Sequence, residues 1–452
     1  MPKPRLKSLK NQRIVLTGAT SGIGLATARA AASSGATLLL VARNEEALEA
    51  LRGELRGRGA RVEYAVADVA DREQVQAVAR KAIESFGGFD TWVNNAGAFI
   101  YGTLADTPVE DQRRLFDVTY WGTVYGTLAA SEHLRRSGGA IINVGSILSD
   151  TTILLQGPYC AAKHAVKSVT EAFRMEFEEA GYPISVTLIK PAAIDTPYIE
   201  HARNLLDSPG VRNPPPAYHP RVVARAILHA CATPVRTLTV GGGGLAISLL
   251  SNHAPRLSEI LMEAGGRMAQ TTDQTGRQAR RDNLYEPRED LAETSSLKGP
   301  GPRKSSLLLE AQMHPLGTAG ILIGVGALIA GAAWGMRANR RDRVLRVGRG
   351  ARREAYHIAR LAAQESASLV ERAAKKARRH APAVRDYAES AYDGARHAAV
   401  DTGRDVARRG SSLFGWLSQL AAPYLSEARD RAEDLATQAR HRGGGFAEDV
   451  QD

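Results

Sequence analysis

A doubly wound α/β fold, with a parallel sheet covered by helices on both faces, is what the first half of the sequence predicts. Short apolar runs recur from Arg13 to about Ile189: "RIVLTG", "TLLLVAR", "VEYAVAD", "DTWVNNAG", "AIINVGS" and "ISVTLIKP". Amphipathic stretches such as "IGLATARAAASSG" and "EEALEALRGELRGRG" separate them. The runs are near-continuous in hydrophobicity rather than alternating, as strands buried on both faces require. Strands joined by helical crossovers pair in parallel and wind to both sides of the sheet.

The remaining elements follow in order. The N-terminal "MPKPRLKSLKNQR" is basic and leads into a strand, with no apolar signal core. Residues 197–220, "PYIEHARNLLDSPGVRNPPPAYHP", hold three consecutive prolines that exclude regular structure, so this stretch is expected to be a substrate lid with at most a short helix. Residues 221–240 return to a helix and a strand, completing a catalytic domain over 1–264. The polar composition of 265–313 predicts a flexible linker. A glycine-rich apolar stretch at 314–336 and an Arg/Ala-rich helical tail at 337–452 follow.

The 452 residues carry a formal net charge of +11, and arginines after Arg337 supply much of that excess. The charge therefore characterises the tail. Only two cysteines occur, Cys160 and Cys231, without metal-ligand spacing, so neither a disulfide framework nor a zinc site is expected. Acidic residues interleave with the arginines and aromatics are sparse, which argues against nucleic acid as a partner.

Gly18, Gly22 and Gly24 in "IVLTGATSGIGLATA" follow a strand and open a helix. Such glycines let the backbone turn tightly and approach a pyrophosphate, which the helix N-terminus stabilises. Further along come "NNAG" ending at Gly97, Ser146 in "INVGS", and "YCAAK" from Tyr159 to Lys163. Jointly, over about residues 10–245, these motifs resemble the short-chain dehydrogenase/reductase family. The resemblance implies a nicotinamide dinucleotide held by Gly18, Thr20, Ser21, Gly22, Ile23 and Gly24. It also implies contacts from Asn95, Ala96 and Gly97, from Asp68 and Val69 at the adenine, and from Ile194 and Thr196 at the carboxamide.

Cofactor choice depends on the end of the second strand. Ala42 stands where NAD-preferring members of the family usually carry aspartate, and Arg43 follows. A guanidinium suits a 2′-phosphate, so NADP(H) is expected, with Asn44 as a neighbour.

Tyr159 and Lys163, four residues apart, share a face of a helix. The resemblance makes Tyr159 the acid–base, Lys163 its electrostatic support and a ribose ligand, and Ser146 the group that binds the substrate oxygen. A tyrosine ionises near pH 10 when unperturbed, so a nearby ammonium and an oxidised nicotinamide are expected to lower it. Two residues depart from the family pattern. Thr119 in "FDVTYWGT" stands where an asparagine usually orders a relay water, and Ala192 in "PAAIDTP" replaces the glycine after Pro191. Thr119 is kept in the catalytic set as a hydroxyl able to hold that water.

Ile153, Leu154, Gln156, Tyr198, Ile199, Leu205 and Leu206 flank this set, which suits a small lipophilic carbonyl or alcohol. Cys160 beside Tyr159 reads as a buried filler. From Thr318 to Met336 no residue is charged, and 19 helical residues would span roughly 28 Å. Gly320/Gly324 and Gly331/Gly335 repeat a small-xxx-small spacing, with Trp334 near one end. A membrane helix is expected at 317–336, with the catalytic domain cytoplasmic and the tail lying on anionic lipid. The arginines from Arg337 onward should also stay cytoplasmic, which a single span does not permit. Either 411–425 also inserts or lies at the interface, or 317–336 is re-entrant or monotopic rather than spanning. The rivals are a membrane scaffold whose nucleotide fold only senses NADP(H), and a soluble enzyme with a partner-binding tail. Homo-oligomers are common in the family and remain open.

Overall fold

Seven strands pair in parallel in the computed structural model, which describes residues 4–274, 276, 282–288 and 291–314. They are β1 (Arg13–Thr17), β2 (Thr37–Ala42), β3 (Val62–Val66), β4 (Thr91–Asn94), β6 (Gly139–Val144), β7 (Ile184–Pro191) and β10 (Thr237–Val240). Between β4 and β6 lies the short β5 (Ile100–Tyr101); β8 (Arg203–Asn204) and β9 (Gly210–Val211) follow β7, and β11 (Thr271–Thr272) comes after β10. The sheet order β3–β2–β1–β4–β6–β7–β10 reverses direction after β3, as a doubly wound sheet does.

The helices are α1 (Gly22–Ser33), α2 (Glu45–Gly57), α3 (Arg72–Phe86), α4 (Val109–Phe116), α5 (Gly122–Ser137), α6 (Gly157–Glu179) and α7 (Pro220–Ala232), then α8 (Gly242–His253), α9 (Pro255–Gln270) and α10 (Leu307–Met313). Local chemistry sets their ends. Asp71 accepts the Glu73 and Gln74 N–H groups at the start of α3, and Gly87 closes it at φ 73°. Successive β1 residues point to opposite faces. Ile14 and Leu16 join Leu25, Leu51 and Ile227 under α1, α2 and α7, whereas Val15 joins Val78, Leu134 and Phe177 under α3, α5 and α6.

A buried polar chain locks the second face. Asn94 accepts from Trp92 Nε1 at 2.7 Å and donates to Asn143 Oδ1 at 2.9 Å; Asn143 donates to Thr170 Oγ1 at 3.0 Å. β4, β6 and α6 are thereby registered against one another.

The structure corrects the reading of 265–313 as a linker. α9 runs to Gln270, and β11 pairs antiparallel with β9. Tyr218 forms bridges with both Ile194 and Arg303. Leu309 and Met313 of α10 enter the core cluster of α1, α2 and α7, and Gln312 pairs with the Thr239 N–H and C=O, each at 2.9 Å. Ion pairs from Glu293 to Arg29 and Arg221 hold the segment between. The lid expected at 197–220 contains a short turn, Pro197–Ile199, and β8, which pairs with β5. Among the described residues no helix is long and apolar enough to cross a membrane. The expected membrane helix beyond His314 and the tail at 337–452 lie outside the described residues.

Replacing Asn143 by Ala strands both neighbours in the buried chain. Asn143→Ala is expected to cost about 1–3 kcal/mol, read as a lower urea midpoint at unchanged slope.

Candidate active site

β1 ends at Thr17 and the chain turns through Gly18 and Gly22, at φ 64° and 52°, into α1. Both angles favour glycine. At Gly24 the constraint is distance: a Cβ there would lie 1.9 Å from the Gly18 carbonyl oxygen. Thr20, Ser21 and Ile23 line this turn, half-buried. Thr17 Oγ1 donates to Val93 O and accepts the Asn95 and Ala96 N–H groups at 3.0 and 3.1 Å. Asn95 Nδ2 returns bonds to the Thr17 and Gly18 carbonyls at 2.9 and 3.1 Å. Thr17 and Asn95 thus clasp the glycine turn to the end of β4. Ile194 and Thr196, both buried, close the far side, and a Cβ on Gly22 would come within 3.1 Å of Thr196 Cβ.

Ser146 leaves the end of β6, and Tyr159 and Lys163 lie one turn apart near the start of α6. All three are buried. Ser146 caps the turn Ile147–Ser149, accepting Leu148 N–H at 3.1 Å, which leaves its hydroxyl hydrogen for another partner. Lys163 Nζ donates to Val144 O at 2.7 Å and stands 5.7 Å from the Tyr159 ring centre. Phe99 packs edge-on against Tyr159 at 4.3 Å between centroids.

Burial dominates the electrostatics. It pushes the Tyr159 phenol well above its ordinary range, with a hydrogen bond from Ser146 opposing it, and it pushes Lys163 down to about 8. A low-dielectric site disfavours both the phenolate and the ammonium; the lowering expected from the sequence belongs to the complex with an oxidised nicotinamide. Burial also pushes the Cys160 thiol up to about 11, as befits a packed filler.

Thr119 lies in a π-helical turn, Asp117–Trp121, between α4 and α5. Its Oγ1 accepts Ala98 N–H at 3.3 Å, so it tethers the chain just beyond Gly97. A Cβ on Gly97 would lie 3.9 Å from that oxygen and 3.1 Å from Tyr198 Oη. Tyr198 Oη donates to Ala98 O at 2.7 Å. The second departure is accommodated by glycines elsewhere. A Cβ on Gly241 or Gly244 would sit 2.7 or 2.9 Å from that of Ala192, so α8 begins where only glycine clears this methyl.

Ile199 is buried in the same cluster as Tyr159, and Ile153, Tyr198, Leu205 and Leu206 pack against it. Leu154 is turned to solvent and Gln156 is buried, hydrogen-bonded to Gln270 at 2.5 Å.

Several residues that the sequence leads one to expect at the cofactor's adenosine half are engaged by the chain's own groups. Arg43 donates to the carbonyls of Asn283, Leu284, Tyr285 and Glu286. Asn44 caps α2, accepting Ala47 N–H at 2.7 Å. Asp68 pairs with Arg114 at 2.5 Å, and Val69 is buried beneath the start of α5, 2.8 Å from where a Gly122 Cβ would stand. The Gly22 N–H donates to Ala292 O at 2.9 Å. Sequence reasoning missed Thr17, Arg114, Leu284 and the Asn94–Asn143–Thr170 chain. The asparagines of "WVNNAG" and "IINVGS" were a legible signal, since a polar residue inside a buried strand needs a partner. Arg114 and Leu284 gave none.

The short chain dehydrogenase family profile matches residues 12–205. The uncharacterized oxidoreductase YxnA of Bacillus subtilis (strain 168) is 42% identical over 330 residues, covering 73% of this chain and 92% of that protein. A stretch that long must run through residues 282–296. Dehydrogenase/reductase SDR family member 7B of Mus musculus is 36% identical over 193 residues, 42% of this chain and 59% of that one. A short chain dehydrogenase/reductase from Burkholderia phymatum, solved in complex with NAD, superposes with a TM-score of 0.52 at 28% identity, covering 56% of this chain and 96% of its own. With the glycine turn, the clasp and the Ser146–Tyr159–Lys163 set in place, this protein belongs to the short-chain dehydrogenase/reductase family of oxidoreductases.

Proposed function

We propose that the protein is an NADP(H)-dependent oxidoreductase that interconverts a lipophilic carbonyl and its alcohol at a membrane surface. The observation that carries this reading is the convergence of Ser146 and Lys163 on Tyr159, all three buried. That assembled set favours turnover over a nucleotide-sensing scaffold.

The residues present fit a nicotinamide dinucleotide. Gly18 and Gly24 let the turn pack tightly against Ala96 and Asn95, and the N-terminus of α1 follows directly from it. Gly18, Thr20, Ser21, Gly22, Ile23 and Gly24 would hold the diphosphate, Asn95, Ala96 and Gly97 the adjoining ribose side, and Ile194 and Thr196 the carboxamide. Asp68 and Val69 would face the adenine. Arg43 would take the 2′-phosphate, for which a fork of N–H donors is well suited. When bound, the cofactor supplies or accepts the hydride.

The chain's own groups do the rest. Ser146 donates its hydroxyl hydrogen to the substrate oxygen and stabilises charge developing there. Tyr159 Oη delivers or removes the proton at that oxygen. Lys163, held by Val144 O, keeps a positive charge at hand for the phenolate. Thr119 accepts the Ala98 N–H, which fixes the backbone there and leaves its hydroxyl hydrogen to hold the relay water. Ile153, Ile199, Leu205 and Leu206 favour an apolar substrate. The uncharged stretch Thr318 to Met336 and the arginine-rich tail favour attachment to a membrane, where such substrates concentrate.

Three measurements test the proposal. Tyr159→Phe removes the proton donor and should lower NADPH-dependent reduction of long-chain ketones by roughly 10²–10⁴-fold; unchanged turnover would refute the assignment. Arg43→Ala should weaken NADPH binding about tenfold and NADH binding hardly at all, measured by fluorescence titration. The full chain should float with anionic vesicles in a density gradient, and remaining in the soluble fraction would rule out the membrane reading.

A further inference from the structure

The turn that covers Arg43 comes from more than 200 residues further along the chain, and its contacts are those of a ligand. Its carbonyls converge on both terminal nitrogens of the guanidinium: Tyr285 O at 2.9 Å, Leu284 O at 3.4 Å, Glu286 O at 3.5 Å, and Asn283 O in close contact. Leu284 is 1% exposed and belongs to the buried cluster that contains Val69 and Leu115. Arg114, paired with Asp68, donates its Nε–H to Leu284 O at 3.0 Å. Tyr285 Oη donates to Asp111 at 2.9 Å. One segment thus engages Arg43 and, through Arg114, Asp68, the two groups expected to recognise the adenosine half of the cofactor.

Both ends of the segment reach further. The Asn283 N–H donates to His201 O in the lid at 3.0 Å, and Ser295 Oγ donates to Asp195 at 2.6 Å. Ala292 O takes the Gly22 N–H at the glycine turn, and Glu293 is held by Arg29 of α1 and by Arg221 of α7.

A guanidinium offers its N–H groups in one fixed fork. Carbonyl oxygens seated on that fork carry partial negative charge, so a phosphate cannot use it until they leave. A bidentate charge-assisted pair with phosphate is stronger than neutral carbonyl contacts, which makes the exchange feasible. We propose that the turn 283–286 is an internal competitor for the ribose-phosphate subsite, so that its seating on Arg43 sets the affinity for NADP(H) relative to NAD(H). This rests on the reading of Arg43 as the 2′-phosphate ligand. A competitor tied to the same chain lowers apparent affinity by the fraction of molecules in which the subsite is open.

The test uses the full chain. Leu284→Ser removes the buried anchor, and Tyr285→Phe removes only the bond to Asp111. Each should tighten NADPH binding, the serine variant by about fivefold or more, while NADH affinity changes by less than about twofold. In the unaltered protein, NADPH should speed hydrogen–deuterium exchange in the peptide containing 282–288, and NADH should not. Slower exchange with NADPH, or weaker NADPH binding in the variants, would overturn the proposal in favour of a clamp that closes over bound cofactor. An equal gain for both cofactors would also overturn it, since the turn would then obstruct a portion they share. If Arg43→Ala leaves the NADPH-to-NADH affinity ratio of the Leu284→Ser protein unchanged, the NADP(H) reading itself is what fails.

Discussion

The approach of α1 to the end of β1 is the constraint on which the site depends. With no side chain on Gly24, the helix begins against the Gly18 carbonyl, and no other residue permits that distance. Thr17 and Asn95 fix the turn to β4, and Asn94, the next residue back, ties β4 to Asn143 on β6. Asn143 reaches Thr170 on α6, the helix that carries Tyr159 and Lys163. The glycine turn and the helix that carries Tyr159 and Lys163 are therefore joined through the sheet by two sets of hydrogen bonds that meet at the Asn94–Asn95 peptide. Such buried polar networks are costly when broken and restrict the core to one register when complete.

Much of this was legible in the sequence because it is local. The strands of the sheet are short apolar runs, and a parallel sheet buries them on both faces. Tyr159 and Lys163 declare their shared face by spacing alone, and Ser146 by its distance before them. The segment beyond Gln270 was illegible for the opposite reason. It is docked by ion pairs, carbonyl contacts and single apolar side chains such as Leu284 and Leu309, whose partners lie far away in the chain. Polar composition without periodicity reads as disorder, although here those polar groups are largely what holds the segment down. Arg43 stands out in the sequence by its position after β2, but no local pattern reveals that carbonyls about 240 residues on converge on it.

Ala192 and Thr119 show two ways a fold absorbs a departure from a family pattern. The extra methyl of Ala192 is met by glycines at the start of α8, in a part of the chain the motif does not include. Thr119 instead takes a new partner, the Ala98 N–H, and the π-helical turn around it marks where the helix is distorted. Such single π turns are frequent beside functional sites.

The pairing of Gln312 with Thr239 has a consequence for what counts as a folding unit. β10 is the last strand of the sheet, and its outer backbone groups would otherwise be an open template for another chain. By answering the Thr239 N–H and C=O with a side-chain amide, and by burying Leu309 and Met313 nearby, α10 turns a sticky border into a finished one. A chain cut where the recognisable dinucleotide fold ends would lose this cover, with self-association at the bared strand as the hazard. The folded unit built around this sheet therefore extends at least to Met313.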